Sequence, residues 1–206
     1  MTVGSRGFFA ALSVLALLLA GFAYENGWLG GGSSGDEINA AAAPGIGGPF
    51  TLTDQNGTQR SDGDFRGRLM LVYFGYTYCP DVCPAALLAM SQALDKLGTA
   101  GDAIQPIFIT IDPARDTEAQ LKLYASNFHP RLLALTGSAD QIAAAEKDYR
   151  VFAEKAPPTS GDANKNDYLM DHSSFIYLMD RDGTLAALFS PGVSPDDMAA
   201  AMKKHL

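Results

Sequence analysis

The sequence is short of cysteine, histidine and positive charge, and each shortage excludes a class of protein. Two cysteines in 206 residues are too few for a disulfide scaffold. Lys and Arg total 15 against 23 Asp and Glu, a net charge of −8, and no block rich in Lys and Arg occurs. Nucleic-acid phosphates require clustered cations, so a nucleic-acid partner is excluded. No internal repeat is present. Only 18% of residues are charged, but 47% are hydrophobic, a globular fraction that rules out wholesale disorder. The length suits one ordinary domain plus extra segments, at ~100–200 residues per domain. The two cysteines, Cys79 and Cys83, stand close together with no third anywhere in the chain, and that spacing is the first pointer to chemistry.

The N-terminal stretch differs from the rest. No charged residue occurs from Gly7 to Tyr24. As a helix at ~1.5 Å per residue, that run is roughly 27 Å long, and a bilayer core is ~30 Å thick. Residues 7–24 are therefore read as a transmembrane anchor, with Tyr24 and Trp28 as interfacial residues. A cleaved secretory signal is the rival reading, with Gly21-Phe22-Ala23 as a small-x-small site. A core helix fits poorly, because Gly30-Gly31-Gly32-Ser33-Ser34-Gly35 separates the segment from any core. Arg6 is the sole charge before the span, and Glu25, Asp36 and Glu37 follow it. The positive-inside bias keeps residues 1–6 as a short cytoplasmic tail and exports everything after the span. The absence of a nearby cysteine excludes a lipoprotein anchor, and an Arg-rich, Ser-rich transit peptide is not present. Residues 25–47, rich in Gly, Ala and Ser, read as a flexible linker to a domain over 48–206.

Within that domain the hydrophobic pattern alternates between two periods. Phe50-Thr51-Leu52 before Asp54-Gln55-Asn56-Gly57 predicts a short strand and a turn. The apolar runs Leu69–Phe74 and Ile107–Ile111 predict strands buried on both faces. Between them Leu87, Met90, Leu94 and Leu97 recur at helical spacing and stop at Gly98. Thr117 with Gln120, and Ser138 with Gln141, have the spacing of capping boxes. The first predicts a helix with Leu121, Tyr124 and Phe128 inward, the second a helix with Ile142, Ala145 and Tyr149 inward. Leu132–Leu135 predicts a short strand between them. Phe175–Met179 and Leu185–Phe189 flank Asp180-Arg181-Asp182-Gly183 as a hairpin. Ser194-Pro195-Asp196-Asp197 opens a last helix. The order β-α-β-α-β-α-β-β-α predicts an α/β domain with an open mixed sheet flanked by helices. With a cysteine motif at a strand-to-helix junction, that is the plan of the thioredoxin fold.

The segment Cys79-Pro80-Asp81-Val82-Cys83 falls at the carboxyl end of a strand, where ligands bind in open α/β sheets. Free N–H groups and the dipole of a helix starting near Cys83 favour thiolate, the form that attacks disulfides and binds metals. The pair can form a redox-active disulfide or share a metal. Three histidines are available as further ligands. His129 reads as a solvated helix C-cap, and His205 as an exposed residue near the end of the chain. His172 precedes a strand, after a polar, proline-containing loop from Pro157 to Asp167 that can deliver it to a sheet end; spacing alone does not join it to the cysteines. Met170 reads as packing or as a soft auxiliary ligand. Asp171 either orients the His172 ring or caps a turn. Asp81 reads as a solvent-facing helix-start acid or a tuning charge. Asp112, Arg115 and Asp116 read as a local ion-pair turn, and secondarily as a partner surface.

Four motifs in this order, Gly75-Tyr76-Thr77-Tyr78-Cys79-Pro80-Asp81-Val82-Cys83-Pro84, Ile111-Asp112-Pro113-Ala114-Arg115-Asp116-Thr117, Leu135-Thr136-Gly137 and Asp171-His172-Ser173, resemble the SCO/SenC family of copper chaperones. The resemblance covers about residues 48–205. It implies a thioredoxin-like fold and copper, Cu(I) or Cu(II), held by Cys79, Cys83 and His172. It also implies a non-enzymatic role, delivery of copper to the binuclear copper site on a cytochrome c oxidase subunit, with other copper chaperones or thiol reductants as further partners. The location expected from resemblance and anchor together is a bacterial inner membrane, with the domain in the periplasm. The donor chemistry agrees: thiolates are soft ligands suited to Cu(I), and imidazole accepts either copper state. A membrane-anchored thiol–disulfide oxidoreductase that reduces the oxidase copper-site cysteines is the alternative, although its usual motif is Cys-x-x-Cys. A peroxidase of the peroxiredoxin type is disfavoured, because Tyr76 and Pro80 stand where its Thr is required.

Overall fold

The computed structural model describes residues 37–39, 45–156 and 168–206. The expected tail (1–6), the span (7–24), most of the expected linker and the loop 157–167 lie outside the described residues. Among the described residues no helix is long and apolar enough to cross a membrane.

Eight strands form one mixed sheet: β1 (Glu37–Asn39), β2 (Thr51–Asp54), β3 (Gln59–Ser61), β4 (Leu69–Gly75), β5 (Ile104–Thr110), β6 (Leu133–Thr136), and, after a separate two-stranded ribbon of β7 (Ala153–Lys155) and β8 (Met170–His172), β9 (Ile176–Met179) and β10 (Leu185–Phe189). The spatial order is β1-β10-β9-β4-β5-β6-β2-β3. β4, β5 and β6 run parallel, and the others join antiparallel. Parallel neighbours require crossovers, which here are α1 (Val82–Leu97) and α2 (Glu118–Ala125). Two further helices, α3 (Ala139–Asp148) and α4 (Pro195–Lys203), follow β6 and β10, and α4 packs on α1.

Local chemistry explains the elements. Every residue of β4 is buried, as a continuous apolar run requires at the centre of a sheet. Pro106 is tolerated in β5 because pairing with β6 begins only at Ile107, so no ladder bond to that strand needs its missing N–H. Leu87, Met90 and Leu94 bury one face of α1, which ends at Gly98 with φ +55°. The Thr117 side chain caps α2 by accepting from Gln120 N. Ser138 and Gln141 form a full capping box on α3. Ser194 caps α4, with Pro195 at its first position.

The structure corrects four expectations here. Glu37–Asn39 lie in the stretch read as a flexible linker, yet they pair with Phe189–Ala187 and cover the open edge of β10. Gly47 N–H also donates to Asp148 O, so the domain begins before residue 48. Phe128 lies beyond the end of α2, although its ring still packs on Tyr124 with centroids 5.1 Å apart. The buried strand expected at 107–111 starts earlier and ends at Thr110.

Candidate metal and thiol site

β4 delivers the chain at Gly75, and a short loop carries Cys79 to the start of α1. Cys83 is the second residue of that helix, so its backbone N–H has no partner within the helix. It donates to Cys79 Sγ at 3.4 Å. Asp81 takes the cap position without a side-chain cap bond and faces solvent. Cys83 is fully buried, Cys79 half-buried, and the two are not bridged. Room for the inner sulfur comes from Gly75. A Cβ there would sit 2.9 Å from Cys83 Sγ and 3.0 Å from both Phe108 Cε2 and Tyr73 Cε1.

His172 arrives from the other side of the cleft, at the end of β8, where it pairs with Ala153. Its Nε2 stands 3.5 Å from Cys83 Sγ. Its Nδ1 lies 2.8 Å from Ser173 O. A carbonyl can only accept, so Nδ1 carries the proton and the Nε2 lone pair faces the sulfur. The ring stands edge-on to Tyr73 (6.3 Å) and Tyr76 (6.0 Å). The orienting group is thus the Ser173 carbonyl and not Asp171, which is exposed in the ribbon opposite Glu154. A strand end holds the histidine, and the loop read as delivering it lies outside the described residues.

The two sulfurs titrate in opposite directions. The Cys79 pKa is lowered, first because the Cys83 thiol donates to its sulfur, and further by the N–H groups of Cys83 and Asp81, against the opposing effect of burial. The Cys83 pKa is raised by that same bond to Cys79 and by burial. The pair is a partly exposed thiolate backed by a buried thiol.

A second set of contacts joins the cysteine loop to the ribbon, and the sequence did not single it out. Arg115 lies 3.6 Å from the Tyr168 ring centroid, 4.7 Å from that of Tyr78 and 5.8 Å from that of Tyr76. It donates to Tyr168 O at 2.8 Å and pairs with Asp112, which also accepts from the Tyr168 hydroxyl. Tyr76 Oη accepts from Met170 N at 3.2 Å, and the Met170 side chain lines the cleft. Asp116 is buried and accepts from Thr77 N, Thr77 Oγ1 and Thr110 Oγ1, which pins the cysteine loop to β5; burial raises its pKa. The expected local ion-pair turn is therefore a local Asp112–Arg115 pair plus two long-range ties. Its signal was the density of aromatics around Cys79, which composition alone does not connect to Arg115.

The remaining histidines stay apart from the cysteines. His129 is no solvated C-cap: its side chain is 11% exposed, and its Nδ1 accepts from Arg131 N within a turn. Burial and the nearby Arg131 lower its pKa. His205 is half-buried, not fully exposed, and its carbonyl accepts from Arg181.

The donors stand at hydrogen-bond rather than coordination spacing, and among the described residues no three His, Cys, Asp or Glu side chains form a ready metal cage. Their chemistry nevertheless fits a soft cation: two sulfurs and an imidazole nitrogen with its lone pair turned inward, beside an open cleft of about 290 Å³. Fold and site together define a thioredoxin-like domain whose dithiol is joined by a histidine from a separate ribbon.

Comparison with known proteins agrees with that class. The SCO1/SenC family model matches residues 39–206, and the chain belongs to this family. Protein sco1 of Schizosaccharomyces pombe is 42% identical over 163 residues, 79% of this chain but 61% of that protein, so the chain spans less than two thirds of that relative's length. Bradyrhizobium japonicum ScoI, solved with copper bound, is 46% identical with a TM-score of 0.70, covering 78% of this chain and 99% of that one. Yeast Sco1, also solved with copper bound, is 39% identical with a TM-score of 0.71, covering 79% and 88%.

Proposed function

We propose that this chain is a copper carrier that binds the metal through Cys79, Cys83 and His172 and delivers it to the binuclear copper site of cytochrome c oxidase during assembly. The observation that carries the reading is the convergence of His172 Nε2 on Cys83 Sγ at 3.5 Å, with the other ring nitrogen tied to a carbonyl. A thiol exchanger needs only the cysteines; an inward-facing imidazole lone pair serves a cation. Copper in the solved relatives supports the choice of metal. Three protein donors beside an open cleft suit cargo that must be handed on, whereas a closed structural zinc site takes four. The test is anaerobic Cu(I) titration of the reduced protein. It should bind one equivalent, lose it when Cys79 and Cys83 are oxidised to a disulfide, and regain it with reductant. Equal retention by the oxidised form would move the site elsewhere.

One observation favours an accessory thiol–disulfide exchange role: Cys79 is half-exposed with a lowered pKa, and Cys83 is buried behind it. That is the arrangement of an attacking thiolate and a resolving thiol. The carrier reading does not exclude it, because metal transfer to a partner's cysteines requires those cysteines reduced.

We further propose that residues 7–24 anchor the chain in a bacterial inner membrane with the domain in the periplasm, on the strength of Arg6 before the span and acids after it. Reporters fused after Gly35 should be active only where the reporter works outside the cytoplasm.

A further inference from the structure

Among the described residues, two sets of polar and ring contacts hold the ribbon to the body of the domain. One lies at the donors: Met170 N–H donates to Tyr76 Oη at 3.2 Å, and the His172 ring meets Tyr73, Tyr76 and the Cys83 sulfur. The other lies away from them and converges on a single ring, Tyr168, two residues before β8. The Arg115 guanidinium stands 3.6 Å from its centroid, and the Lys155 ammonium, from β7, stands 4.0 Å away. Cations over an aromatic face are held by the ring quadrupole. Arg115 Nη1 donates to Tyr168 O at 2.8 Å, and the Tyr168 hydroxyl donates to Asp112 Oδ1 at 2.8 Å. Asp112 and Arg115 pair with each other and are both buried, at 4% and 10% side-chain exposure, so this anchor belongs to the core and not to the ribbon. Arg115 also lies 4.7 Å from the ring of Tyr78, the residue before Cys79. One tyrosine thus ties both ribbon strands to the turn after β5, and the cation stacked on it reaches the cysteine loop.

We propose that Tyr168 is a positioning residue for the metal site: with Arg115 it forms a latch that keeps the ribbon closed and so holds His172 against the dithiol. It touches none of the three donors. A donor on a separate element strengthens a site through its effective concentration at the other two. The latch raises that concentration, because the ribbon is ordered by the fold before any metal arrives. When the cargo leaves, the metal's own bridge between sulfur and nitrogen goes with it, and the latch remains to hold the halves in register. Arginine suits the post, because its planar guanidinium stacks on a ring and donates to a carbonyl at once, which an ammonium does not do. This inference rests on the carrier reading for its metal readout, and a second readout is chosen to be independent of copper.

The test is a double-mutant cycle of Tyr168→Leu with His172→Ala in the reduced full-length protein. Cu(I) affinity, measured by competition with a chromophoric chelator, should fall about tenfold in Tyr168→Leu, the scale for a lost group that supports a ligand from behind. In the His172→Ala background the same change should lower it no further, since there is no imidazole left to position. Tyr168→Phe, which keeps the ring under both cations, should recover most of the loss. The copper-independent arm is amide exchange in the metal-free protein: the Met170 N–H should exchange about tenfold faster in Tyr168→Leu while the β4 amides keep their protection. Should Tyr168→Leu not fold, Arg115→Lys, which keeps the charge and loses the plane, enters the same cycle. If the wild-type protein takes no copper but Met170 exchange accelerates, the carrier reading fails and the latch stands. If copper binds and Tyr168→Leu costs as much affinity without His172 as with it, Tyr168 serves general stability and the proposal is overturned. Unchanged affinity, or lost affinity with unchanged Met170 exchange, would overturn it too and leave the carrier reading intact.

Discussion

The two sulfur donors and the nitrogen donor are held by very different amounts of protein. Cys79 and Cys83 sit between β4, which is buried throughout and paired on both sides, and a 16-residue helix. His172 sits at the end of a ribbon whose strands have three residues each and, among the described residues, pair only with one another. The cysteine side carries the stability of the core; the ribbon has a short ladder and the Arg115 and Tyr76 contacts. Regions with few buried contacts open at lower free energy than the fold as a whole. On the proposed carrier reading, the stiff side would keep the thiols in place, and the slighter side would part from the cargo without unfolding the domain.

The largest expected effect breaks the ribbon's donor. His172→Ala should lower copper affinity by at least the 10- to 100-fold seen when mere supporting groups are lost. Cu(II) should suffer more than Cu(I), since two thiolates remain a fair soft site. Disulfide reduction by the same variant should stay within about tenfold of wild type, because thiolate character depends mainly on the helix start. Retained affinity with collapsed disulfide reduction would assign His172 to redox chemistry.

Next comes the stiff side. Gly75→Ala places a methyl 2.9 Å from Cys83 Sγ and 3.0 Å from two rings that have no free direction to move. Overpacking of this kind costs about 1–3 kcal/mol, to be read as a lower denaturation midpoint. A variant as stable as wild type would show that β4 yields more than its burial suggests.

Arg115→Ala sharpens the contrast further. It removes the cation stacked on Tyr168 and the bond to Tyr168 O, contacts of about 1–2 kcal/mol. Amide exchange over residues 153–155 and 170–172 should speed up while β4 and β5 keep their protection. Equal acceleration in β4 would mean that the two regions open as one unit.

The smallest effect is on acid stability, far from the cleft. Asp54 is buried where β2 turns into β3. Burial pushes its pKa up, but hydrogen bonds from the Thr58 and Asn56 N–H groups and the Arg60 guanidinium outweigh that and hold it below the ordinary 3.8. A lowered carboxylate pKa stabilises the fold fully above the unfolded value and loses that contribution as pH falls through the folded one. Denaturation measured across the acid range should therefore show a shallower loss below about pH 4 for Asp54→Asn than for wild type. Parallel curves would remove Asp54 from the acid response.

What the sequence revealed follows the same division. β4, β5, the faces of α1 and α3 and the caps at Thr117, Ser138 and Ser194 were legible, because long apolar runs and side-chain caps are written in residue types. The cysteine pair was legible for the same reason. The ribbon was not: Ala153-Glu154-Lys155 and Met170-Asp171-His172 are too short and too polar to carry a period. Asp171 was the visible candidate for orienting the ring, while the true partner is a backbone carbonyl, which every residue possesses and no sequence advertises. Tyr73 looked like one more core aromatic in an apolar run. Only the packing at Gly75 sets it beside Cys83.

The strand order has a consequence in time. β4 is central, and its antiparallel neighbour is β9, with Met70 opposite Met179. Pairings so distant along the chain form late, because the intervening segment must be ordered before the contact rewards it. During synthesis, Cys79 and Cys83 therefore exist on a half-built sheet before His172 reaches them. Whether the newborn pair meets an oxidant or a metal first is decided in that interval, by the pace of folding rather than by the chemistry of the finished site.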